Sequence, residues 1–290
     1  MDVALRNRLT MNLERCIRKV SEPLRMSSIA LSTSGAIYDG ALIGSDTNLL
    51  TISSEQVALS MATAVQDYGI EKVITMTTGS ALELQTPLTI KILVDHALRT
   101  NRGIAYSIVN QDSEILFDIH DVRRALPFYN PAPIVLAKVA TAVMTPNVIQ
   151  AGLDDVVALK QCAIEGIDRN FPLYDSASGY GAAVMTSSGR IFFSGQYSSP
   201  DKRLGVHAEM NAVLCAVMAG EMDIVRLGVV SSKFKDEPCQ MCGCCRQFFA
   251  EMCVKWKIDP DIHCFALESD VSALWKPNAY LPATWTSKKW

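Results

Sequence analysis

An internal repeat constrains the fold of this chain more than any other feature of its 290 residues. Four kinds of segment occur twice, in the same order and about 150 positions apart, which is typical of a duplicated structural unit. They are two apolar runs around a Ser-Gly turn (27–40 and 179–195), a helical pattern (52–65 and 206–220), a short β-branched run (72–78 and 226–232) and a closing segment that starts with Asp-Val (121–128 and 270–277). The repeat predicts two copies of one fold.

Each copy is predicted to be an α/β unit. A helical pattern comes before each hairpin, at residues 3–20 and 154–169, so a copy runs helix, hairpin, helix, strand, helix, strand, helix. That order favours a mixed sheet with helices on both faces, a three-layer α/β/α sandwich present as two tandem copies. At roughly 100–200 residues per domain, we expect domains at 1–128 and 153–290. The linker at 129–152 is rich in Pro and Ala and is predicted to hold a short helix at 134–144.

Composition excludes several classes of protein. The formal net charge is −3, without the basic surplus that binding a nucleic-acid backbone requires, so no nucleic-acid partner is expected. No apolar run reaches the roughly 18 residues of a membrane span, and the first residues lack the apolar core of a secretory signal. We therefore expect a cytoplasmic protein with no membrane partner.

Nine cysteines are present, and most of them are concentrated in one short part of the second copy. The clustered ones are Cys239, Cys242, Cys244, Cys245 and Cys253. Without a secretory route, a disulfide framework is disfavoured, and the cluster indicates metal binding or catalysis.

The second copy also contains His207 and Glu209. One histidine and two of the cysteines would give zinc three protein ligands, which leaves a fourth position open for water. Glu209 follows the histidine by two residues, so at the start of a helix its carboxylate can reach that water without coordinating the metal. The pattern indicates a catalytic zinc site with Glu209 beside the metal-bound water.

His207-Ala208-Glu209, followed by a Cys-x-x-Cys-Arg-Gln block, resembles the cytidine deaminase family. The resemblance covers about residues 154–280 and extends faintly over the first copy. It implies a zinc-dependent hydrolase that converts cytidine, deoxycytidine or a related aminated pyrimidine nucleoside to the uridine-type product and ammonia. It also implies a small nucleoside-like substrate, a role in pyrimidine salvage and Zn²⁺ without an organic cofactor. Glu209 would carry the proton from water to the ring nitrogen and then assist departure of ammonia.

The resemblance leaves the two cysteine ligands open, because two overlapping blocks match the family pattern. Pro238-Cys239-x-x-Cys242 matches one part of it, and Cys242-Gly-x-Cys245-Arg-Gln matches the continuation better. We favour His207, Cys242 and Cys245 as the metal ligands, with Cys239 as the alternative ligand. A closed site of four cysteines is a third arrangement.

The first copy has the same order of predicted elements as the second but lacks the candidate metal ligands. Where the second copy has His207-Ala208-Glu209, the first has Ser53-Ser54-Glu55, and residues 86–91 contain no cysteine. The first domain is therefore predicted to be a deaminase-like scaffold without zinc ligands. This resembles the two-domain branch of the family, which implies a homodimer, although here the intact copy is second.

The substrate is not fixed by the sequence. The family's Asn-x-Glu-Asn segment, which binds the ribose, is absent from residues 195–203. Either Gln196, Ser198 and Asp201 supply the sugar contacts, or the substrate is a modified nucleoside or another secondary-metabolite heterocycle. Tyr180 is a candidate for packing on the base. A zinc-binding pseudoenzyme is the alternative outside catalysis.

Overall fold

The computed structural model describes residues 1–17, 24–47, 50–79, 87–129, 146–173 and 178–282. The chain divides into two compact units. Unit 1 comprises Met1–Met144 and Ser199–Leu204, and unit 2 comprises Thr145–Ser198 and Gly205–Trp290. The helix predicted at 134–144 lies outside the described residues. Within the described part of the chain, no helix has the length and apolar character needed to cross a membrane.

Unit 1 is built on a mixed sheet of five strands. In chain order its elements are α1 (Val3–Glu14), β1 (Met26–Ser32), β2 (Ile37–Ala41), α2 (Ser54–Ala64), β3 (Ile70–Thr77), α3 (Pro87–Thr100), β4 (Ala105–Val109) and β5 (Ile115–Ile119), followed by a 3₁₀ turn at Val122–Ala125. The sheet order is β2-β1-β3-β4-β5. Strands β3 and β4 are parallel, and the other neighbours are antiparallel.

Helices cover both faces of this sheet. Leu9 and Leu13 of α1 pack in one apolar cluster with Ile29 of β1 and Met76 of β3. Side chains alternate between the faces of a strand, so the neighbouring Ser28 lies on the opposite face, where its Oγ is 2.8 Å from the Oγ of Ser54 in α2. Strand β1 is therefore buried on both sides, and α1 and α2 lie on opposite faces of the sheet.

Unit 2 has the same order of elements with one extra edge strand. Its elements are β6 (Val148–Gln150), α4 (Val156–Ile167), β7 (Tyr180–Thr186), β8 (Arg190–Gly195), α5 (Ala208–Met218), β9 (Ile224–Ser231), α6 (Gly243–Trp256), β10 (Asp261–Phe265), β11 (Ser272–Trp275) and α7 (Pro277–Tyr280). The sheet order is β11-β10-β9-β7-β8-β6. Helix α4 packs so closely on β7 that a Cβ at Gly181 would lie 2.0 Å from the carbonyl oxygen of Ala163.

Pairing registers in the two units correspond residue by residue. In unit 1 Ile43 pairs with both Ile17 and Ile52, and in unit 2 Tyr197 pairs with both Phe171 and Val206. Each unit 2 residue stands 154 positions after its counterpart, as Ile43 and Tyr197 illustrate. The segments that precede α2 and α5 therefore pair with their neighbours at corresponding residues.

The structure confirms the prediction of mixed α/β sheets and corrects its details. Strands β5, β6 and β11 were not expected, and β6 is formed from the predicted linker. The last predicted helix of each copy is a 3₁₀ turn at Val122–Ala125 in unit 1 and, in unit 2, strand β11 followed by the short helix α7. All three strands are short edge strands, which carry too few residues for a pattern of alternation to stand out.

Candidate metal centre

The residues of the predicted metal site meet at the N-termini of two helices. His207 is the N-cap of α5, Cys242 is the N-cap of α6, and Cys245 lies in the first turn of α6. N-cap residues with oxygen side chains normally accept a hydrogen bond from their own helix. Neither His207 nor Cys242 makes a side-chain cap bond, so both side chains are directed to other partners.

The three candidate ligand atoms have the spacing of a zinc site. The Nδ1 of His207 lies 3.4 Å from the Sγ of Cys242 and 3.3 Å from the Sγ of Cys245, and the two sulfurs are 3.6 Å apart. Tetrahedral Zn²⁺ with Zn–N and Zn–S bonds of about 2.0–2.3 Å would separate such atoms by roughly 3.5–3.8 Å. The donor set and its spacing therefore fit zinc. No other group of three His, Cys, Asp or Glu ligand atoms lies this close together among the described residues.

The pKa values of the three candidate ligands are shifted in different directions. Hydrogen bonds with Cys245 and His207 lower the pKa of Cys242 to about 3, against the opposing effect of burial. The hydrogen bond with Cys242 raises the pKa of His207 above its usual value. Burial raises the pKa of Cys245 well above that of a free thiol. Without metal, these shifts favour a thiolate at Cys242 and a protonated thiol at Cys245.

Glu209 is buried beside the three candidate ligands without being one of them. It is the second residue of α5 and is 6% exposed. Burial raises the pKa of its carboxyl group, while the charge of His207 acts in the opposite direction. The neighbouring Cys245 thiol also lowers the pKa of this carboxyl group. The structure thus provides a buried proton acceptor next to the candidate metal position.

The alternative ligand Cys239 lies outside this group. Its side chain is fully buried, its backbone N–H donates to the carbonyl oxygen of Phe265 at 3.0 Å, and burial raises the pKa of its thiol to about 12. Cys244 is exposed, and Cys253 is buried further along α6. Of the five clustered cysteines, the structure brings Cys242 and Cys245 together with His207.

At the corresponding helix start in unit 1, a conventional cap replaces the ligand. Ser53 is the N-cap of α2, and its Oγ accepts a hydrogen bond from the backbone N–H of Gln56 at 3.2 Å. The Gln56 side chain accepts one from the Ser53 N–H at 2.9 Å, which completes a capping box.

Glu55, the counterpart of Glu209, is surrounded by hydroxyl groups. Its carboxylate accepts hydrogen bonds from Thr75 at 2.7 Å, Tyr106 at 2.8 Å and Ser54 at 3.3 Å. By strand register and helix position, unit 2 has apolar residues at the three matching places, namely Val229, Ile262 and Ala208. The sequence pattern did not reveal this cage, because its members come from three separate elements; the signal was hydroxyl side chains within otherwise apolar strands.

Asp201, one of the candidate residues for sugar contacts, already has structural partners within unit 1. The Asp201 carboxylate accepts hydrogen bonds from Arg203 at 2.7 and 3.0 Å and from Lys91 at 3.1 Å, and these contacts hold its pKa well below the usual range. The Oγ of Ser199 donates to Asp95 at 2.8 Å. The side chain of Tyr180 is partly buried at the start of β7. Both oxygens of Asp201 are therefore already engaged.

Comparison with known proteins finds a remote likeness to cytidine deaminases. No family model matches the sequence. A cytidine deaminase from Burkholderia pseudomallei is 23% identical, covers 44% of this chain and 98% of its own, and gives a TM-score of 0.40. A cytidine deaminase from Mycobacterium leprae is 17% identical, covers 44% of this chain and 98% of its own length, and gives a TM-score of 0.36. A cytidine deaminase from Mycobacterium tuberculosis is 12% identical, covers 44% of this chain and 96% of its own length, and gives a TM-score of 0.34. At these values the likeness does not carry residue roles or activity across.

Proposed function

We propose that this protein is a zinc-dependent hydrolytic deaminase of an aminated pyrimidine nucleoside or a related heterocycle, with His207, Cys242 and Cys245 as the metal ligands. The observation that carries this proposal is the Glu209 carboxyl group, which is 6% exposed and lies next to the candidate ligand group. Burying a carboxyl group is costly unless it has a partner or a function. A zinc site with a purely structural role has no need of that group.

The proposed chemistry uses one proton carrier. Zinc bound at this site would act as a Lewis acid and lower the pKa of water toward 7. Glu209 would accept a proton from the attacking water at a carboxylate oxygen, deliver it to the ring nitrogen next to the amidine carbon, and then assist protonation of the amino group. The C–N bond breaks, ammonia leaves, and a carbonyl remains. Positioned acid–base catalysis of this kind contributes about 10²–10⁴-fold to the rate.

The substrate is proposed as a class rather than a compound. Cytidine and deoxycytidine fit the proposed chemistry, because both carry an amino group on an amidine carbon. The engagement of Asp201 by Arg203 and Lys91 supports the second candidate, a modified nucleoside or another aminated heterocycle that is not held through this residue. A zinc-binding pseudoenzyme is the candidate that lacks any turnover.

We further propose that the two units are tandem copies of one deaminase-type α/β/α sandwich, with the catalytic role in residues 153–290. The matching registers at 154 positions support the duplication. The serine at position 53 and the hydroxyl cage around Glu55 support a non-catalytic role for residues 1–128. The homodimer and the cytoplasmic location remain predictions from the sequence.

The test is ammonia release by wild type and Glu209→Gln, measured with cytosine, cytidine, deoxycytidine and base-modified analogues, together with the zinc content of each preparation. Because the amide cannot carry the proton, we expect Glu209→Gln to lose at least about 100-fold in turnover while it keeps its zinc.

Glu55→Gln is the matched control, since it makes the same change at the corresponding buried position of unit 1. We expect it to retain turnover per folded molecule. Unchanged turnover in Glu209→Gln would overturn the mechanism. A zinc-loaded wild type that releases no ammonia from any compound would favour the pseudoenzyme.

A further inference from the structure

The loop that carries Cys242 is held by a tyrosine about 40 positions away in the sequence. Tyr280, the last residue of α7, is 5% exposed. Its hydroxyl accepts a hydrogen bond from the backbone N–H of Met241 at 2.7 Å and donates one to the Oε1 of Gln240 at 3.0 Å. The two residues immediately before Cys242 are therefore bonded to one phenol.

Arg246 also bonds to this loop, through the carbonyl group of Met241. Its Nε donates to the carbonyl oxygen of Met241 at 2.8 Å, and its guanidinium carbon lies 4.0 Å from the centroid of the Tyr280 ring. Both backbone groups of Met241 are thus bonded to side chains that contact each other. The carbonyl belongs to the peptide that joins Met241 to Cys242, so its orientation determines where the Cys242 backbone begins.

Cys242 lacks the side-chain bond to its own helix that would fix its backbone. It is exposed and makes no cap bond to α6, unlike Ser53, whose capping bonds orient it in unit 1. Yet its sulfur lies within 3.6 Å of both other candidate ligand atoms. Cys245 differs, because it is buried within a regular helical turn.

We propose that Tyr280 and Arg246 are positioning residues of the metal centre, which set the peptide before Cys242 so that its sulfur meets the metal together with His207 and Cys245. This inference rests on the proposed function, since it assumes that zinc binds these three residues. Outer partners that orient metal ligands contribute about 10–100-fold to metal affinity. Core packing alone is the competing role, and the Tyr280 ring also stacks on Trp275 at 5.3 Å between centroids.

Tyr280→Phe in the full-length chain separates the two roles, because it keeps the ring and its stacking and removes only the hydroxyl. Zinc affinity is measured by chelator competition, and the bound geometry by the thiolate-to-metal absorption bands of the Co²⁺ form. We expect at least about 10-fold weaker zinc binding and weaker or shifted Co²⁺ bands. Arg246→Lys, which keeps a cation and a donor, should retain more affinity than Arg246→Met.

Tyr38→Phe is the matched control. It removes a phenol hydroxyl in unit 1 that donates to Asp67 at 2.7 Å, so it should lower the melting temperature and leave zinc affinity and the Co²⁺ bands unchanged. Tight zinc binding by Tyr280→Phe, or equal weakening in Tyr38→Phe, would overturn the positioning role. A wild type that binds zinc through thiolates without deaminating any compound would refute only the enzymatic proposal. A wild type that binds no zinc would overturn both.

Discussion

Two buried glutamates at matching positions differ in how their carboxylates are satisfied. Glu55 accepts hydrogen bonds from three hydroxyl groups, and these bonds occupy lone pairs of its carboxylate oxygens. Around Glu209 the three matching positions are apolar, so the hydroxyl donors that surround Glu55 have no counterpart there. A group that must accept and release protons during turnover needs free lone pairs. This difference, rather than the mere presence of glutamate, separates the proposed catalytic residue from its structural counterpart.

Metal binding should release protons in numbers that depend on pH. Cys242, with a pKa of about 3, is already a thiolate, whereas Cys245 must lose its proton and His207, whose pKa is raised, must lose its own at lower pH. We expect the ligands to release about two protons per zinc below the pKa of His207 and about one above it, and ionisation of the zinc-bound water adds up to about one more near neutral pH. Zinc affinity should therefore rise with pH. Calorimetric titration in buffers of different ionisation enthalpy measures both numbers.

Cys239→Ser is the control for this proton count. The Cys239 thiol has a pKa of about 12, so it would also release a proton if it bound zinc. With Cys242 and Cys245 as the ligands, the variant should release the same number of protons as wild type and keep its zinc affinity. One proton fewer in Cys239→Ser would contradict the ligand assignment and favour the alternative.

At the scale of the element, the same helix boundary serves two purposes. In unit 1 Ser53 closes a capping box at the start of α2, while in unit 2 the corresponding His207 gives up the cap bond. Losing a cap of this kind costs about 1 kcal/mol, so α5 starts without a contribution that α2 has. Metal coordination by His207 would offset that loss.

Ser53→Ala should lower the free energy of unfolding by about 1 kcal/mol, because the N–H of Gln56 loses its acceptor in a buried place. The measurement is a urea titration followed by circular dichroism on metal-free protein. Zinc affinity should not change. A variant with the wild-type midpoint would show that this capping box does not stabilise the fold.

Elements with long local patterns were predictable from the sequence, and contacts between distant elements were not. Local periodicity predicts the hairpins and the helix starts at His207 and Cys242. The repeat spacing predicts which segments of the two copies correspond. The edge strands β5 and β11 are too short for such a signal. The Tyr280 hydroxyl meets Gln240 40 positions away, and Glu55 meets Tyr106 51 positions away. Only the packed fold brings such pairs together.

At the scale of the whole molecule, zinc is expected to stabilise one unit. The candidate ligands come from α5 and from the start of α6, and no comparable group exists among the described residues of unit 1. A ligand at 1,000 times its Kd contributes about 4 kcal/mol to the state that binds it. Removing zinc with a chelator should therefore increase hydrogen–deuterium exchange at the starts of α5 and α6 and leave α2 unchanged. Equal changes in α2 would contradict a site confined to unit 2.

Unit 1 is assembled from two stretches of chain, and the second is only six residues long, Ser199–Leu204. Its hydrogen bonds, which Lys91 donates to Asp201 and Ser199 donates to Asp95, join positions 110 and 104 residues apart. Because each pair shares a hydrogen bond, a substitution at Lys91 or Asp95 in one lineage is expected to be accompanied by a change at its distant partner. The short stretch ends three residues before His207, so the two halves of these 290 residues are expected to change together and to be inherited as one piece instead of being exchanged as separate modules.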